Sequence, residues 1–319
     1  MTTKTFITKD TKLIFIGDLH GQVQKLDALL KHLKFDENPP QSITSNTKLV
    51  FIGDLIDNAP NANTNHVGLL TKVKRLVDDD LAYCIMGNHE FNAIGWATKH
   101  NENNTKQHQS FLNDVIEGSD DHIYWVNWFK TLPLYLDFDE IRAIHACWKE
   151  TQIKQLNKYI NSESKLNKEC WQQAFDKSEP LYYLAETLLK GPEIELPHGS
   201  SFKDKTGTTR TQIRCKWWSE KAETYRDFAQ VQPEVVFDIP DIKLPNEQIP
   251  EQFSQPVIVG HYTLNGVPSV LSHKVACVDY NAAKDDNPLV AYFWQGEKVL
   301  TERNFVYRNK MTEHKNLGI

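Results

Sequence analysis

Three short apolar runs, each closed by a glycine, recur early in the chain: Leu13-Ile14-Phe15-Ile16-Gly17, Leu49-Val50-Phe51-Ile52-Gly53 and Tyr83-Cys84-Ile85-Met86-Gly87. Continuous runs of this kind read as strands buried on both faces. Between the first two, Leu26, Leu29, Leu30 and Leu33 fall at i, i+3, i+4 and i+7. Between the second and third, Leu69, Leu70, Val73, Leu76 and Val77 repeat nearly the same spacing. Both connections are therefore predicted to be amphipathic helices. Alternating strands and helices imply parallel βαβ units. Polar residues follow each glycine, at the carboxyl ends of the strands, where open α/β sheets place their ligands.

From Leu134 the pattern changes. Leu134-Tyr135-Leu136 and Arg142-Ala143-Ile144-His145 flank residues 137–140 as a predicted hairpin. A second β-rich stretch contains Val257-Ile258-Val259-Gly260, Val275-Ala276-Cys277-Val278 and Leu289-Val290-Ala291-Tyr292-Phe293-Trp294. It is predicted to turn at Gln295-Gly296-Glu297 into Lys298-Val299-Leu300. Residues 148–250 between them are helical in pattern at first, as at Leu181, Leu184 and Leu188, and proline-punctuated later. They include Trp148, Trp171, Trp217 and Trp218, which argues for packing rather than a linker. The expected organisation is a discontinuous α/β core, residues 1–147 and 251–319, with 148–250 inserted as a mixed, largely helical cap.

Composition narrows the function classes. The 319 residues carry a net charge of -6 and are 40% hydrophobic, which suits a globular core and gives no bulk attraction to nucleic acid or an anionic membrane. No apolar run reaches the ~18 residues of a membrane span, and the N-terminal residues carry no secretion signal. Five scattered cysteines form no C-x-x-C pair, so a reducing cytoplasm is the expected compartment.

Each strand end offers metal-ligating side chains: Asp18 and His20 after the first, Asp54 after the second, Asn88 after the third. Asp18 to Asp54 is 36 residues and Asp54 to Asn88 is 34, each one βαβ step, so the positions recur in structural phase. Strand alternation sends Asp18 and His20 to one face, able to grip a cation together. His145 and His261 end later predicted strands and can complete the set. Singly, these residues read as turn formers or hydrogen-bonded histidines; their joint phase favours a metal centre.

The motifs G-D-x-H, G-D-x-x-D, G-N-H-[DE] and two separate histidine motifs occur here in order, and the sequence resembles the calcineurin-like metallophosphoesterases over residues 12–147 and 256–302. Gly21, and the pair Val259-Gly260-His261 and Cys277-Val278-Asp279, are similar to the bacterial branch allied to diadenosine tetraphosphatases and phosphoprotein phosphatases. The resemblance implies a four-layer αββα sandwich and a binuclear site. Asp18, His20 and Asp54 would bind one metal, and Asn88, His145, His261 and the bridging Asp54 the other. Mixed carboxylate, amide and imidazole donors suit Mn, the first choice, or Fe, Zn or Co. His89 is the implied general acid. Asp57 would orient it, the alternative for Asp57 being an N-cap ahead of the 61–77 segment. Asp279 is expected either to support a ligand imidazole or to form a turn.

The chain departs from the phosphoprotein-phosphatase pattern where D-R-G and R-G-N-H-E are replaced by Asp57-Asn58-Ala59 and Met86-Gly87-Asn88-His89-Glu90, so two phosphate-clamping arginines are missing. Phosphate would be held by the metals alone or by cations of the cap. The locally basic residues 203–226 hold Lys203, Lys205, Arg210, Arg214, Lys216, Lys221 and Arg226, with Arg214 and Arg226 favoured. Asn58 and Tyr262 are further candidate substrate contacts, although burial against the sheet is the favoured reading of Tyr262. Cys147 is read as a packing residue that oxidation near the metals could affect.

The expected reaction is hydrolysis of a phosphomonoester by in-line attack of a metal-bound hydroxide. A dinucleoside polyphosphate is the alternative substrate, with cap aromatics stacking adenine. A catalytically inactive binding protein is the non-enzymatic reading. Expected partners are a phosphorylated small molecule, nucleotide or phosphopeptide.

Overall fold

A computed structural model describes residues 4–5, 7–37, 46–58, 64–99, 105–204, 207–245, 254–284 and 286–308. The three early runs form β1 (Lys12–Ile16), β2 (Thr47–Phe51) and β3 (Ala82–Cys84), with β1 and β3 both parallel to the central β2. Their connections contain α1 (Val23–His32) and α2 (His66–Asp78), which bury Leu26, Leu29 and Leu30 and Leu69, Leu70, Val73 and Leu76. Helices α3 (Asn88–Lys99), α4 (Thr105–Asp114) and α5 (Asp120–Phe129) follow. The hairpin is β4 (Tyr135–Asp137) against β5 (Arg142–Ile144).

The middle of the chain holds α6 (Glu150–Leu156), α7 (Trp171–Ala174) and α8 (Pro180–Lys190). The short strands β6 (Glu193–Glu195), β7 (Phe202–Lys203), β8 (Thr209–Arg210) and β9 (Gln212–Arg214) come next, then α9 (Tyr225–Phe228). The chain returns to the core through β10 (Val257–Val259), β11 (Val275–Cys277), β12 (Val290–Trp294) and β13 (Phe305–Tyr307).

Two main sheets result, ordered β13-β12-β1-β2-β3 and β11-β10-β5-β4. Strand alternation sorts their side chains into layers. Leu13, Phe15, Val50 and Ile52 of the first sheet meet Leu136, Ala143, Ile258 and Ala276 of the second in one core. The intervening Ile14, Ile16, Leu49 and Phe51, and Ile144, Val257 and Val259 of the other sheet, belong to a second core with Leu26, Leu30, Leu70, Val73, Ile153 and Leu188 of the helices. Helix, sheet, sheet, helix is the four-layer αββα arrangement.

Residues 148–250 pack in two ways. Trp148, Trp171, Trp217 and Trp218 join the main core along with residues of α6 to α8, and the amides of Ala146 and Cys147 donate to the Leu188 carbonyl. Ile194, Phe202, Ile213, Phe228 and Ile239 form a small core of their own. Among the described residues, no helix is long and apolar enough to cross a membrane.

One strand expectation fails. Residues 298–300 are not a strand, and β12 pairs instead with β13. The turn after β12 closes on Glu297: its carbonyl accepts the Trp294 indole N–H, and its carboxylate accepts the Gln295 amide. Leu300 donates its amide to the His273 carbonyl, away from β12.

Candidate metal centre

The ends of β1 and β2 are tied together by backbone: the amides of Leu19 and His20 both donate to the Asp54 carbonyl, at 2.9 and 3.0 Å. That arrangement places His20 (φ 43°) and Asp54 (φ 51°) in the left-handed region, which is uncommon for non-glycine residues. Gly53 and Gly87 let the β2 and β3 ends meet. A Cβ on Gly87 would collide with Asp54 Oδ1, and one on Gly53 would collide with the Gly87 amide.

Around this junction the side chains converge. His145 donates its Nδ1 proton to the Ile52 carbonyl at 2.6 Å, which leaves Nε2 facing Asn88 Oδ1 at 3.0 Å and Asp54 Oδ1 at 3.3 Å. His20 donates from Nδ1 to the Ile56 carbonyl at 2.8 Å, freeing its Nε2 likewise. His261, at φ 67°, brings Nδ1 within 2.7 Å of Asn88 Oδ1, and its amide donates to Asp18 Oδ2 at 3.0 Å. Ligand atoms of His20, Asp54 and His89, and of Asp54, His145 and His261, form two groups within 4.8 Å, with Asp54 common to both.

This donor set fits a metal. Asp18 Oδ1 and His261 Nε2 are buried without a hydrogen-bond partner among the described residues. Such acceptors are costly to bury unless a proton or cation meets them. Burial, with the charges of Asp279 and Asp54, pushes the Asp18 carboxyl well above its ordinary range. Burial, with the positive charges of His145 and Arg214, holds His261 well below its own. Backbone carbonyls on the Nδ1 protons of His20 and His145 fix the tautomer that ligation at Nε2 requires.

His89 opens α3 beside the junction. Its amide donates to Asp54 Oδ1 at 2.9 Å and its Nδ1 lies 3.1 Å from Asp57 Oδ2. Its Nε2 lies 3.8 Å from Asp54 Oδ2 and 3.2 Å from Asn58 Nδ2. Burial opposes the imidazolium, but Asp54 and Asp57 outweigh it and raise His89 to about 9. Asp57 is fully buried; desolvation pushes its carboxyl up, and the bonds from His108 and His89 bring it below the ordinary range.

The other residues singled out from the sequence lie partly at the site and partly behind it. Asp57 does not cap α2: Asn65 does, accepting the Gly68 amide at 2.7 Å, and position 61 lies outside the described residues. Arg226 is spent inside the 193–244 region, on the Ile239 carbonyl at 3.0 Å and Asp241 at 3.1 Å. Tyr262 is buried, as favoured, its hydroxyl donating to the Ala146 carbonyl at 2.9 Å and accepting the Trp217 indole N–H at 2.7 Å. Asp279 accepts the amides of Thr263 at 2.5 Å and Asn281 at 2.9 Å, which ties the loop after His261. Cys147 is buried in the main core, as a packing residue should be. Lys205 lies outside the described residues. Arg214 differs from Arg226: it ends β9 with a 3.9 Å contact to Glu193, and its charge is felt by His261 and Tyr262.

The sequence reading missed four residues. Glu90 is fully buried and accepts the amides of Gly87, Asp54 and Leu55 at 3.0, 2.9 and 2.8 Å, stitching the β2 and β3 ends together. Its place in Gly87-Asn88-His89-Glu90 was the available signal. His108 Nδ1 lies 2.6 Å from Asp57 Oδ2. His66 accepts the Asp57 amide at Nε2, 3.1 Å, and donates from Nδ1 to Asp114 at 2.7 Å. No local motif marks His108, His66 or Asp114.

Residues 11–258 match the family model described as calcineurin-like phosphoesterase. The match ends before His261, whose place in the site rests on geometry. No curated protein matches the chain. Among solved structures, a candidate diadenosine tetraphosphatase is 14% identical, with 96% of this chain and 98% of that one covered and a TM-score of 0.50. A protein serine/threonine phosphatase from Saccharomyces cerevisiae, described as similar to human phosphatase PP5, is 15% identical, with 99% and 86% covered and a TM-score of 0.51. A cold-active protein tyrosine phosphatase is 15% identical, with 96% and 82% covered and a TM-score of 0.50. At these identities the likeness is one of fold. With the family match spanning most of the chain and a buried donor set that suits a metal, the protein belongs to the calcineurin-like phosphoesterases, a family of metal-dependent hydrolases.

Proposed function

We propose that the protein is a binuclear metal-dependent phosphatase that hydrolyses a phosphomonoester, with His89 as general acid. The observation that carries this reading is the placement of His89: Nδ1 is anchored on buried Asp57, and Nε2 shares the space in front of Asp54. Asp18, His20 and Asp54 would hold one cation, and Asn88, His145, His261 and Asp54 the second. Such cations, manganese being the first choice, activate water and neutralise phosphoryl charge. Asp57 accepts the Nδ1 proton of His89 and fixes its ring; His89 holds a proton at Nε2 for the departing oxygen. Arg214 supplies a guanidinium from the 193–244 region, the part proposed to cap the site, in place of the missing arginines. Asn58, whose side-chain amide lies beside His89 Nε2, completes the rim on that side.

The tryptophans bear on the rival substrate. Trp217 and Trp218 are 5% and 6% exposed, and Trp218 packs edge-on against Tyr262 at 4.7 Å. Rings used in this way are not offered to an adenine, which favours a monoester over a dinucleoside polyphosphate. An assembled ligand set together with His89 speaks against an inactive binding protein. The buried cysteines suit a reducing cytoplasm. The test compares initial rates of manganese-loaded protein on p-nitrophenyl phosphate and on diadenosine tetraphosphate. Faster monoester turnover is expected; faster dinucleotide cleavage, or inactivity on both with metal bound, overturns the proposal.

A further inference from the structure

Helix α4 reaches Asp57 by two routes, one direct and one through His66. From its middle, His108 brings Nδ1 to 2.6 Å from Asp57 Oδ2, the same oxygen that His89 Nδ1 approaches at 3.1 Å. From its last residue, Asp114 Oδ2 accepts the Nδ1 proton of His66, whose Nε2 in turn accepts the Asp57 amide. Asp57 sits at φ 65°, in the left-handed region, with its amide and one carboxylate oxygen both tied down by these contacts. Its other oxygen, Oδ1, is buried without a hydrogen bond among the described residues, so the carboxylate is held through Oδ2 alone. His108 is 1% exposed and His66 fully buried. With one oxygen serving both rings, the direction in which Asp57 presents its lone pairs to His89 depends on His108.

We propose that His108 is a positioning residue for the general acid: its Nδ1–H bond to Asp57 Oδ2 sets the carboxylate that orients the His89 ring. The proposal rests on the reading of His89 as general acid. His108 touches neither substrate nor metal in this scheme and acts only through Asp57.

Two near-isosteric substitutions separate positioning from bulk packing. Asn places its amide nitrogen where the Nδ1 of histidine lies, whereas Gln places it nearer Nε2. The kinetic readout is the ratio of kcat on an alkyl phosphate, whose departing alkoxide needs a proton, to kcat on p-nitrophenyl phosphate, whose phenolate leaves readily. His108→Gln is expected to lower that ratio roughly tenfold with KM little changed, and His108→Asn to restore it towards the wild-type value. A ratio unchanged in His108→Gln, or lowered equally in both variants, overturns the proposal.

A second readout needs no turnover. In proton NMR of the wild-type protein, the Nδ1–H resonances of His89 and His108, picked out from those of the other buried histidines by single replacement, are expected downfield and slow to exchange. His108→Gln should remove one and displace the other; an unmoved His89 resonance overturns the proposal. Wild-type inactivity on both esters would sink the phosphatase reading, while the NMR result still decides whether His108 governs the geometry of His89.

Discussion

Glu90 accepts the backbone amide of Asp54 at 2.9 Å, so a carboxylate from the first turn of α3 fixes the loop that supplies the shared metal-ligating residue. With the Gly87 and Leu55 amides on the same side chain, its two oxygens hold the ends of β2 and β3 at a set distance. Glu90→Gln replaces one acceptor with a donor facing amide donors. It should destabilise the protein by about 2–4 kcal/mol and reduce metal affinity as Asp54 loosens. Thermal unfolding with and without manganese measures both; an unchanged melting temperature and metal titration would remove Glu90 from this role.

Gly260 occupies a position where a methyl group would collide with Asp18 Oδ1. Gly260→Ala should push Asp18 aside and weaken metal binding by about 10–100-fold, the range seen when the surroundings of a ligand are disturbed. Calorimetric titration of the purified variant is the check, and wild-type affinity would show that Asp18 is not a ligand.

The two arginines favoured by the local charge pattern should behave differently. Arg214→Ala is expected to raise KM for a phosphomonoester about tenfold or more through loss of a charged hydrogen bond. Arg226→Ala should leave KM and kcat alone and lower stability by about 0.5–1 kcal/mol. Steady-state kinetics with a parallel melting curve settles the pair, and the reverse order of effects would put the phosphate clamp elsewhere.

Tyr262→Phe removes a hydroxyl that bonds Ala146 and Trp217. The expected cost is about 1–2 kcal/mol of stability with kcat preserved. A large fall in kcat without loss of stability would restore Tyr262 as a substrate contact.

These contrasts show which parts of the site could be read from the chain. The β1 to β3 units and the positions of Asp18, Asp54 and Asn88 were legible because strand, glycine and ligand are neighbours in sequence and the βαβ repeat fixes their phase. Glu90 was visible as a motif member, but its work depends on amides of residues 54 and 55, which only folding brings near. His108, His66 and Asp114 reach Asp57 through the packing of α4 and α2, and nothing local records that contact. Arg226 looked available because its partner, the carbonyl of Ile239, carries no mark in the side-chain sequence.

The central claim is that two cations share Asp54. Elemental analysis of the manganese-saturated protein, wild type against Asp54→Asn, with p-nitrophenyl phosphate turnover on the same samples, tests it most directly. About two ions per chain in the wild type, and fewer than about one with activity lost by roughly a hundredfold or more in the variant, is the expected result. An Asp54→Asn protein that keeps both ions and wild-type turnover would contradict the account.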